Sequence, residues 1–382
     1  MDFSLKAEQK DIVKAAREFA QGEFPDPARE FDRNETFDME IWKDACGLGF
    51  VGIFVEEKYD GPEYGFFEHC LVTEEFWAVE PGIGQAILST TLGAEILGMF
   101  GSEEQKRLVL PGLIAGEAAM AVAIAEPDGD WDVAVAKTTA IKDGDNWLIN
   151  GSKAFVPNGT QARFILVYCR TAPAEAAMGD GQYSFILVPN DAVGFSTSKI
   201  YGKMGLRAAD TAEVVLKDVR VPIKNLIGKD GEGHKQLNAY LDRLRLSICA
   251  QAVGLARAAL KETIQHTAGR HIFGVPLNSF QVTQFKIADM AIRIRAARNL
   301  YFEAAWGLDQ GRADSKLIAM SKQFCAETAI YCADEALQVH GGYGYIDEYK
   351  VQRLYRDAKA LDIMEGAKEM EMISGVMDLG LA

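Results

Sequence analysis

Cysteine and histidine are sparse in this chain and follow no pattern. Its six cysteines (Cys46, Cys70, Cys169, Cys249, Cys325 and Cys332) show no CxxC spacing or pairing, and its five histidines are scattered. That excludes a structural zinc module and gives no local support to a Cys/His nucleophile pair, so no metal site is expected and free, buried thiols are. Positive charge is also short: 40 Lys and Arg stand against 55 Asp and Glu, a formal net charge of −15. Such a surface repels phosphate backbones and anionic bilayers, which excludes general binding to either, although a local basic cluster can still hold a small anion. No apolar run reaches the roughly 18 residues of a membrane span, and the first residues lack the apolar stretch of a secretory leader, so a cytoplasmic location is expected. GxGxxG, Walker, HExxH and GxSxG patterns are all missing from any supporting context.

What is present suits a folded chain of two or three packed units, since 382 residues with 48% hydrophobic and 25% charged composition bury a large core. Residues 1–115 read as an N-terminal helical domain. Ser4 stands as a possible N-cap before a stripe of Leu5, Ile12, Ala16 and Phe19, and breaks fall at Phe24-Pro25-Asp26, Asp60-Gly61-Pro62 and Pro81-Gly82. Residues 116–228 read as a β-domain. Phe164–Cys169, Tyr183–Val188 and Ala212–Leu216 are its runs of β-formers, with turns expected at Asp143-Gly144, Asn150-Gly151 and Asn158-Gly159. Residues 229–382 read as a helical bundle of four long helices. Core stripes are expected at Ile248, Ala252, Leu255 and Ala259, at Phe285, Ala288, Ile292, Ala296 and Leu300, and at Ile363, Ala367, Met370 and Ser374. The plan is α+β. By itself it names no reaction.

A series of short motifs does more. Ala125-Glu126-Pro127 opens the β-domain, followed by Ile149-Asn-Gly-Ser-Lys153, Lys203-Met-Gly-Leu-Arg207 and Val219-Arg-Val-Pro222. Then come Arg270-His-Ile-Phe-Gly274 before Phe280-Gln281, Gln338-Val-His-Gly-Gly342, Arg356-Asp357-Ala358 and Ile363-Met-Glu-Gly366. In this order, over essentially the whole chain, they resemble the acyl-CoA dehydrogenase family. The resemblance implies FAD as cofactor and a CoA thioester as substrate. Glu365 matches the family's catalytic glutamate, which removes the α-proton before hydride passes from the β-carbon to flavin N5. The thioester oxygen is bound by that glutamate's own N–H and a flavin hydroxyl, an oxyanion-hole arrangement. Relatives that carry the base on the earlier helix hold it at the position of Leu244, which cannot serve. Without the resemblance, Glu365 would read as a solvated carboxylate near a helix N-terminus.

The resemblance assigns further residues. Asp242 and Arg245 match positions along the CoA and acyl channel, where the plainer reading is a helix-surface ion pair with Arg243. Leu88, Trp131, Met364 and Gly366 fall at the acyl pocket. Arg270, Phe273 and Gln281 resemble the grip on FAD diphosphate and adenine across a subunit interface. Gln338, Gly341 and Gly342 resemble its close-approach segment. Ile124, Ala125, Trp131, Phe155, Pro157 and Ala367 take the places of the chain's own flavin contacts, and here the pattern breaks. Ala125 replaces a threonine, Trp131 a serine and Ala367 a threonine, and Pro157, in place of another threonine, offers neither hydroxyl nor N–H.

The resulting expectation is an FAD enzyme that oxidises an acyl-CoA to its α,β-unsaturated form and passes electrons to an electron-transfer flavoprotein, as a homotetramer or a mixed tetramer with a paralogue. Two alternatives stand beside it. One is a flavin-poor partner subunit; the other is an acyl-CoA oxidase, disfavoured by the lack of a large C-terminal extension. The acyl group is not legible.

Overall fold

The computed structural model describes residues 4–129, 133, 136–172 and 181–364. Among them the N-terminal part is helical: α1 (Ala7–Glu23), α2 (Pro25–Asn34), α3 (Met39–Gly47), α4 (Phe66–Trp77), α5 (Pro81–Leu88), α6 (Ala94–Phe100) and α7 (Glu103–Ile114). The expected Ser4 cap is displaced. Helix α1 begins at Ala7 with Lys6 as its N-cap, and the Lys6 N–H donates to Gln9 Oε1 at 2.9 Å, so the glutamine at the third helical position satisfies that donor. Ala16 and Ala20 are fully buried against Phe24, Phe50 and Phe76. Pro25 at the first turn of α2 and Pro81 at that of α5 restart the helices, positions where the missing N–H costs nothing.

Helix α4 is buried nearly all round, Glu74 and Glu75 included. Glu74 is met by Arg257 at 2.5 Å, Arg298 at 3.1 Å and the Tyr301 hydroxyl, and Glu75 by Arg17 at 2.9 Å and Arg257 at 2.8 Å. Buried carboxylates persist only when so compensated. Their partners lie on α1, α8 and α9, so the cluster ties the N-terminal helices to the C-terminal bundle.

The middle of the chain forms a seven-stranded sheet: β1 (Ala119–Ala123), β2 (Thr139–Asp143), β3 (Asn146–Pro157), β4 (Ala162–Arg170), β5 (Tyr183–Pro189), β6 (Phe195–Lys199) and β7 (Thr211–Pro222). The order is β1-β4-β2-β3-β7-β6, with β5 paired to β4 and β1 parallel to β4. The turns at Asp143-Gly144 and Asn158-Gly159 are as expected, but Asn150-Gly151 lies inside β3. There the register with β7 slips between Ile149 and Gly151, and Asn150 bonds Asp218 instead of turning the chain. A side chain at Gly151 would meet Thr138 Oγ1 at 2.4 Å, so the bulge requires glycine.

The bundle comprises α8 (Gly233–Gly269), a two-stranded hairpin β8 (His271–Ile272) and β9 (Val275–Pro276), α9 (Gln281–Asp309), α10 (Ser315–His340) and α11 (Val351–Ile363). Ile248, Ala252, Leu255 and Ala259 are fully buried, as the first stripe predicts. The second stripe fails. Helix α9 buries Met290, Ile294, Ala297, Tyr301 and Ala304, while Phe285 and Ile292 lie exposed on another face. Both faces are apolar at helical spacing, and periodicity cannot say which one meets its own chain. The third stripe, Ile363 apart, lies outside the described residues; among the described residues the last helix of the bundle is α11. All six cysteines are free and buried.

Candidate active site

The segment after β1 is held from beneath by a lysine. Lys153 on β3 has no exposed surface, and its ammonium donates to the Ile124 carbonyl at 2.8 Å and to Glu126 Oε1 at 2.9 Å. Glu126 also accepts from the Lys137 and Thr138 N–H groups at 2.7 and 2.9 Å. Burial pushes the Glu126 carboxyl up, but Lys153 and these donors overcome it and hold it below the ordinary carboxylate value. Burial lowers the Lys153 ammonium, with Glu126 opposing the shift. The Ala125 carbonyl accepts from Ala154 N–H at 2.9 Å. The motifs around Ala125 and Lys153 are therefore two halves of one buried anchor.

Beyond Lys153, β3 bulges again. Its register with β7 jumps from Lys153 opposite Val214 to Val156 opposite Ala212, and Phe155 takes a left-handed φ of 52° with its ring exposed. Pro157 ends the strand. The Asn158 amide next to it donates to Ser89 Oγ at 3.1 Å, and the Thr90 carbonyl accepts from Met120 N–H at 2.7 Å. The end of α5 is thus stitched to the edge of the sheet. Leu88 itself packs inward with Phe50, Phe76, Ile83 and Ile87 in the N-terminal core.

A second junction lies under α11. Leu206 N–H donates to the buried Asp357 carboxylate at 2.6 Å, Arg356 pairs with Asp32 at 2.6 Å, and Arg353 forks onto Glu80 at 3.1 and 3.2 Å. A side chain at Gly205 would strike the Arg356 carbonyl at 2.5 Å. The Lys203–Arg207 and Arg356–Ala358 motifs are the two sides of this contact. Lys203, whose ammonium burial takes down to about 8, bonds the Leu206 carbonyl and Thr211. Helix α11 so anchored ends at Ile363. Glu365, Gly366 and Ala367 follow directly in sequence and lie outside the described residues, as does Trp131; Met364 packs against the bundle core.

On α8, Asp242 does not pair with Arg243. It accepts from Ser315 Oγ at 2.8 Å, at the start of α10, and burial raises its carboxyl. Arg245 is half-buried one turn on, and Leu244 is buried among Tyr59, Ala94 and Leu97.

The remaining assigned residues gather at one end of the bundle. Arg270 closes α8 and lies over the Tyr343 ring at 5.8 Å, and the His266 and His340 rings stack at 4.0 Å between the ends of α8 and α10. The Phe273-Gly274 turn, both residues at positive φ, carries a phenyl ring that is 93% exposed. Gln281 and Gln338 are exposed, and a side chain at Gly341 or Gly342 would project into open space. Bare backbone beside an exposed arginine fits the adenine and diphosphate half of FAD. At Ala125, Phe155 and Pro157 the chain offers backbone and ring surface with no side-chain hydroxyl. Sequence reasoning missed Glu95 and Arg243, which share a cavity beside α8; an isolated glutamate and arginine far apart in sequence carry no motif.

The three models of the acyl-CoA dehydrogenase N-terminal, middle and C-terminal domains match residues 6–117, 121–219 and 231–378. A probable acyl-CoA dehydrogenase of Bacillus subtilis is 38% identical over 98% of both chains. The chain belongs to the acyl-CoA dehydrogenase family. The solved butyryl-CoA dehydrogenase of Megasphaera elsdenii superposes with a TM-score of 0.95 at 34% identity, covering 99% of this chain and 100% of that one. A glutaryl-CoA dehydrogenase of Mycobacterium smegmatis, solved in complex with FADH2, superposes at 0.92 with 29% identity, over 98% of this chain and 95% of that one. The acyl-CoA dehydrogenase described here is accordingly an FAD-dependent oxidoreductase of acyl-CoA. No helix among its described residues is long and apolar enough to cross a membrane.

Proposed function

We propose that this acyl-CoA dehydrogenase introduces an α,β double bond into a CoA thioester, with Glu365 as the base that removes the α-proton. The observation that carries this reading is Leu244. The helix α8 position at which other family members hold their base is a buried leucine here, set among apolar neighbours, so the carboxylate is supplied by the Glu365-Gly366 pair that follows α11. The contacts of Asp357, Arg356 and Arg353 fix α11 against the sheet loop and the N-terminal helices, and that pair follows α11 in sequence; a weakly acidic carbon demands a well-positioned base. FAD, when bound, supplies the acceptor for the β-hydrogen. Arg270, Gln281 and the Gly341-Gly342 backbone would hold its adenine and diphosphate half, contributed to a neighbouring subunit, and an electron-transfer flavoprotein would reoxidise it. Asp242 and Arg245 border the CoA channel. The proposed assembly is a tetramer.

Glu365→Gln tests the base. The amide keeps the volume but takes no proton at neutral pH, and loss of a general base costs about 10² to 10⁴ in rate. Straight, branched and alicyclic acyl-CoA esters are mixed anaerobically with enzyme and flavin bleaching is followed. Equal bleaching rates for wild type and Glu365→Gln would remove Glu365 from this role.

A second reading rests on Ala125 and Pro157, which bring no hydroxyl to the flavin's reactive half. It makes the chain a flavin-poor subunit that completes the site of a paralogue. The visible absorbance of the purified chain after incubation with FAD decides: one flavin per subunit supports the enzyme reading, and a colourless protein supports the mixed assembly.

A further inference from the structure

Beside α8, a cavity of about 250 Å³ opens between the chain leading into α4, helices α6 and α7, and Arg243. Phe54, Phe66, Met99 and Leu110 give it an apolar wall, and Glu95, Arg243 and Asp309 a charged one. Asp309 is already satisfied, since its two oxygens accept the Phe66 and Phe67 N–H groups at 2.9 and 2.8 Å and cap α4. The other two are not matched in this way. Glu95 is 6% exposed and bonds the Gly93 N–H through Oε2 at 3.1 Å, and burial raises its carboxyl to about 7. Arg243 donates to the Ala239 carbonyl one turn back at 3.2 Å, and burial lowers its guanidinium. Each feels the other as a nearby charge, and Arg243 also feels Asp242 and Asp309, but among the described residues no hydrogen bond joins Glu95 to Arg243. A carboxyl and a guanidinium therefore line one cavity, each hydrogen-bonded to nearby backbone.

The complement of such a wall carries both signs. A simple anion would meet Arg243 but also face Glu95 and Asp309, and a simple amine would meet Glu95 but leave Arg243 facing a second cation. The space is large enough to admit a small molecule. We propose that this cavity binds a small zwitterion, an α-amino acid with an aliphatic side chain, its ammonium on Glu95, its carboxylate on Arg243 and its side chain on Phe54, Phe66 and Leu110. None of its lining residues is among those assigned to the flavin or the thioester, and its occupancy does not depend on the base assigned above.

Calorimetric titration of the holoenzyme with L-leucine, isoamylamine and isocaproate tests this, because the last two are leucine without its carboxylate and without its ammonium. Leucine binds, and each analogue binds at least about tenfold more weakly. Glu95→Gln and Arg243→Gln each weaken leucine by roughly ten- to a hundredfold, the worth of one charge-assisted hydrogen bond. Gly98 supplies a control independent of charge. It lies on α6 in the cavity wall, where an added side chain meets nothing within 4 Å, so Gly98→Phe fills the space and abolishes binding while the protein keeps its flavin and its thermal midpoint. The proposal is overturned if leucine gives no heat at millimolar concentration, if either analogue matches it, or if Gly98→Phe binds leucine as wild type does. Should a charge variant fail to fold, the analogue series and Gly98→Phe still decide the matter.

Discussion

Lys153→Met removes the ammonium that joins β1 to β3, and its cost can be worked from the contacts. The side chain is fully buried and makes two hydrogen bonds, to the Ile124 carbonyl and to Glu126. Removing one partner of a buried pair typically costs about 3–5 kcal/mol, because the other charge stays behind. Glu126 keeps its two backbone donors at Lys137 and Thr138, which places the ionic part near the lower end, while the orphaned Ile124 carbonyl adds about 1 kcal/mol. A local loss of about 3–4 kcal/mol at neutral pH follows. The sign of the pH dependence is fixed by the lowered folded pKa of Glu126. Such a group stabilises the fold fully above its unfolded value, and that stabilisation is lost as pH falls through the folded one. The gap between wild type and Lys153→Met is therefore full at neutral pH and narrows as pH drops below about 4.3. Hydrogen exchange across β1–β3 under mild denaturant measures it, and Lys153→Met/Glu126→Gln closes the cycle with a coupling of at least about 1 kcal/mol. A single-mutant loss under about 1 kcal/mol, or strictly additive single mutants, would refute the account of the anchor.

Asp357→Asn is expected to gain stability relative to wild type as pH rises. Burial raises the Asp357 carboxyl to about 7, so the folded state holds a proton that the unfolded state releases near pH 4, and wild-type stability falls between these values; equal pH slopes for both proteins in thermal unfolding would contradict this. Phe285→Lys/Ile292→Lys charges the exposed face of α9. It is expected to reduce the assembly to smaller species by light scattering and to release flavin, whereas an unchanged mass would show that this face is not an interface.

The fold was legible where local chemistry and packing agree. The α8 stripe, the β4, β5 and β7 runs and the proline restarts at Pro25 and Pro81 are placed as their residues require. The failures share a cause, since a residue pattern gives a period or a turn preference but not the partner. Asn150-Gly151 reads as a hairpin turn, yet its glycine is required because Thr138 lies against the bulge. Phe285 and Ile292 have the spacing of a core stripe, yet α9 turns Met290, Ile294 and Ala297 to its own chain. The strands β1, β2 and β6 are short, and β1, buried throughout, lacks the alternation that marks a half-exposed strand. Glu95 and Arg243 meet only through the packing of α6 against α8, which no local signal announces.

The motifs that carry the family resemblance divide by what holds them. Ala125–Pro127 and Ile149–Lys153 are accounted for within the chain by the Glu126–Lys153 pair, and Lys203–Arg207 and Arg356–Ala358 by the Leu206–Asp357 contact. Packing alone would give those residues a reason to be there, so their presence argues for the fold more than for the reaction. Arg270, Phe273, Gln281, Gln338, Gly341 and Gly342 are different. They lie exposed at one end of the bundle, where the phenyl ring of Phe273 stands almost wholly in water and the two glycines have no neighbour that a side chain would strike. An exposed aromatic on a left-handed turn and a bare glycine pair add nothing to the stability of one chain. Among the described residues they have no partner that accounts for them, which suits a dinucleotide, a second subunit or both. Loss of flavin in Phe285→Lys/Ile292→Lys, a variant that alters none of these six residues, would tie the cofactor to the subunit contact.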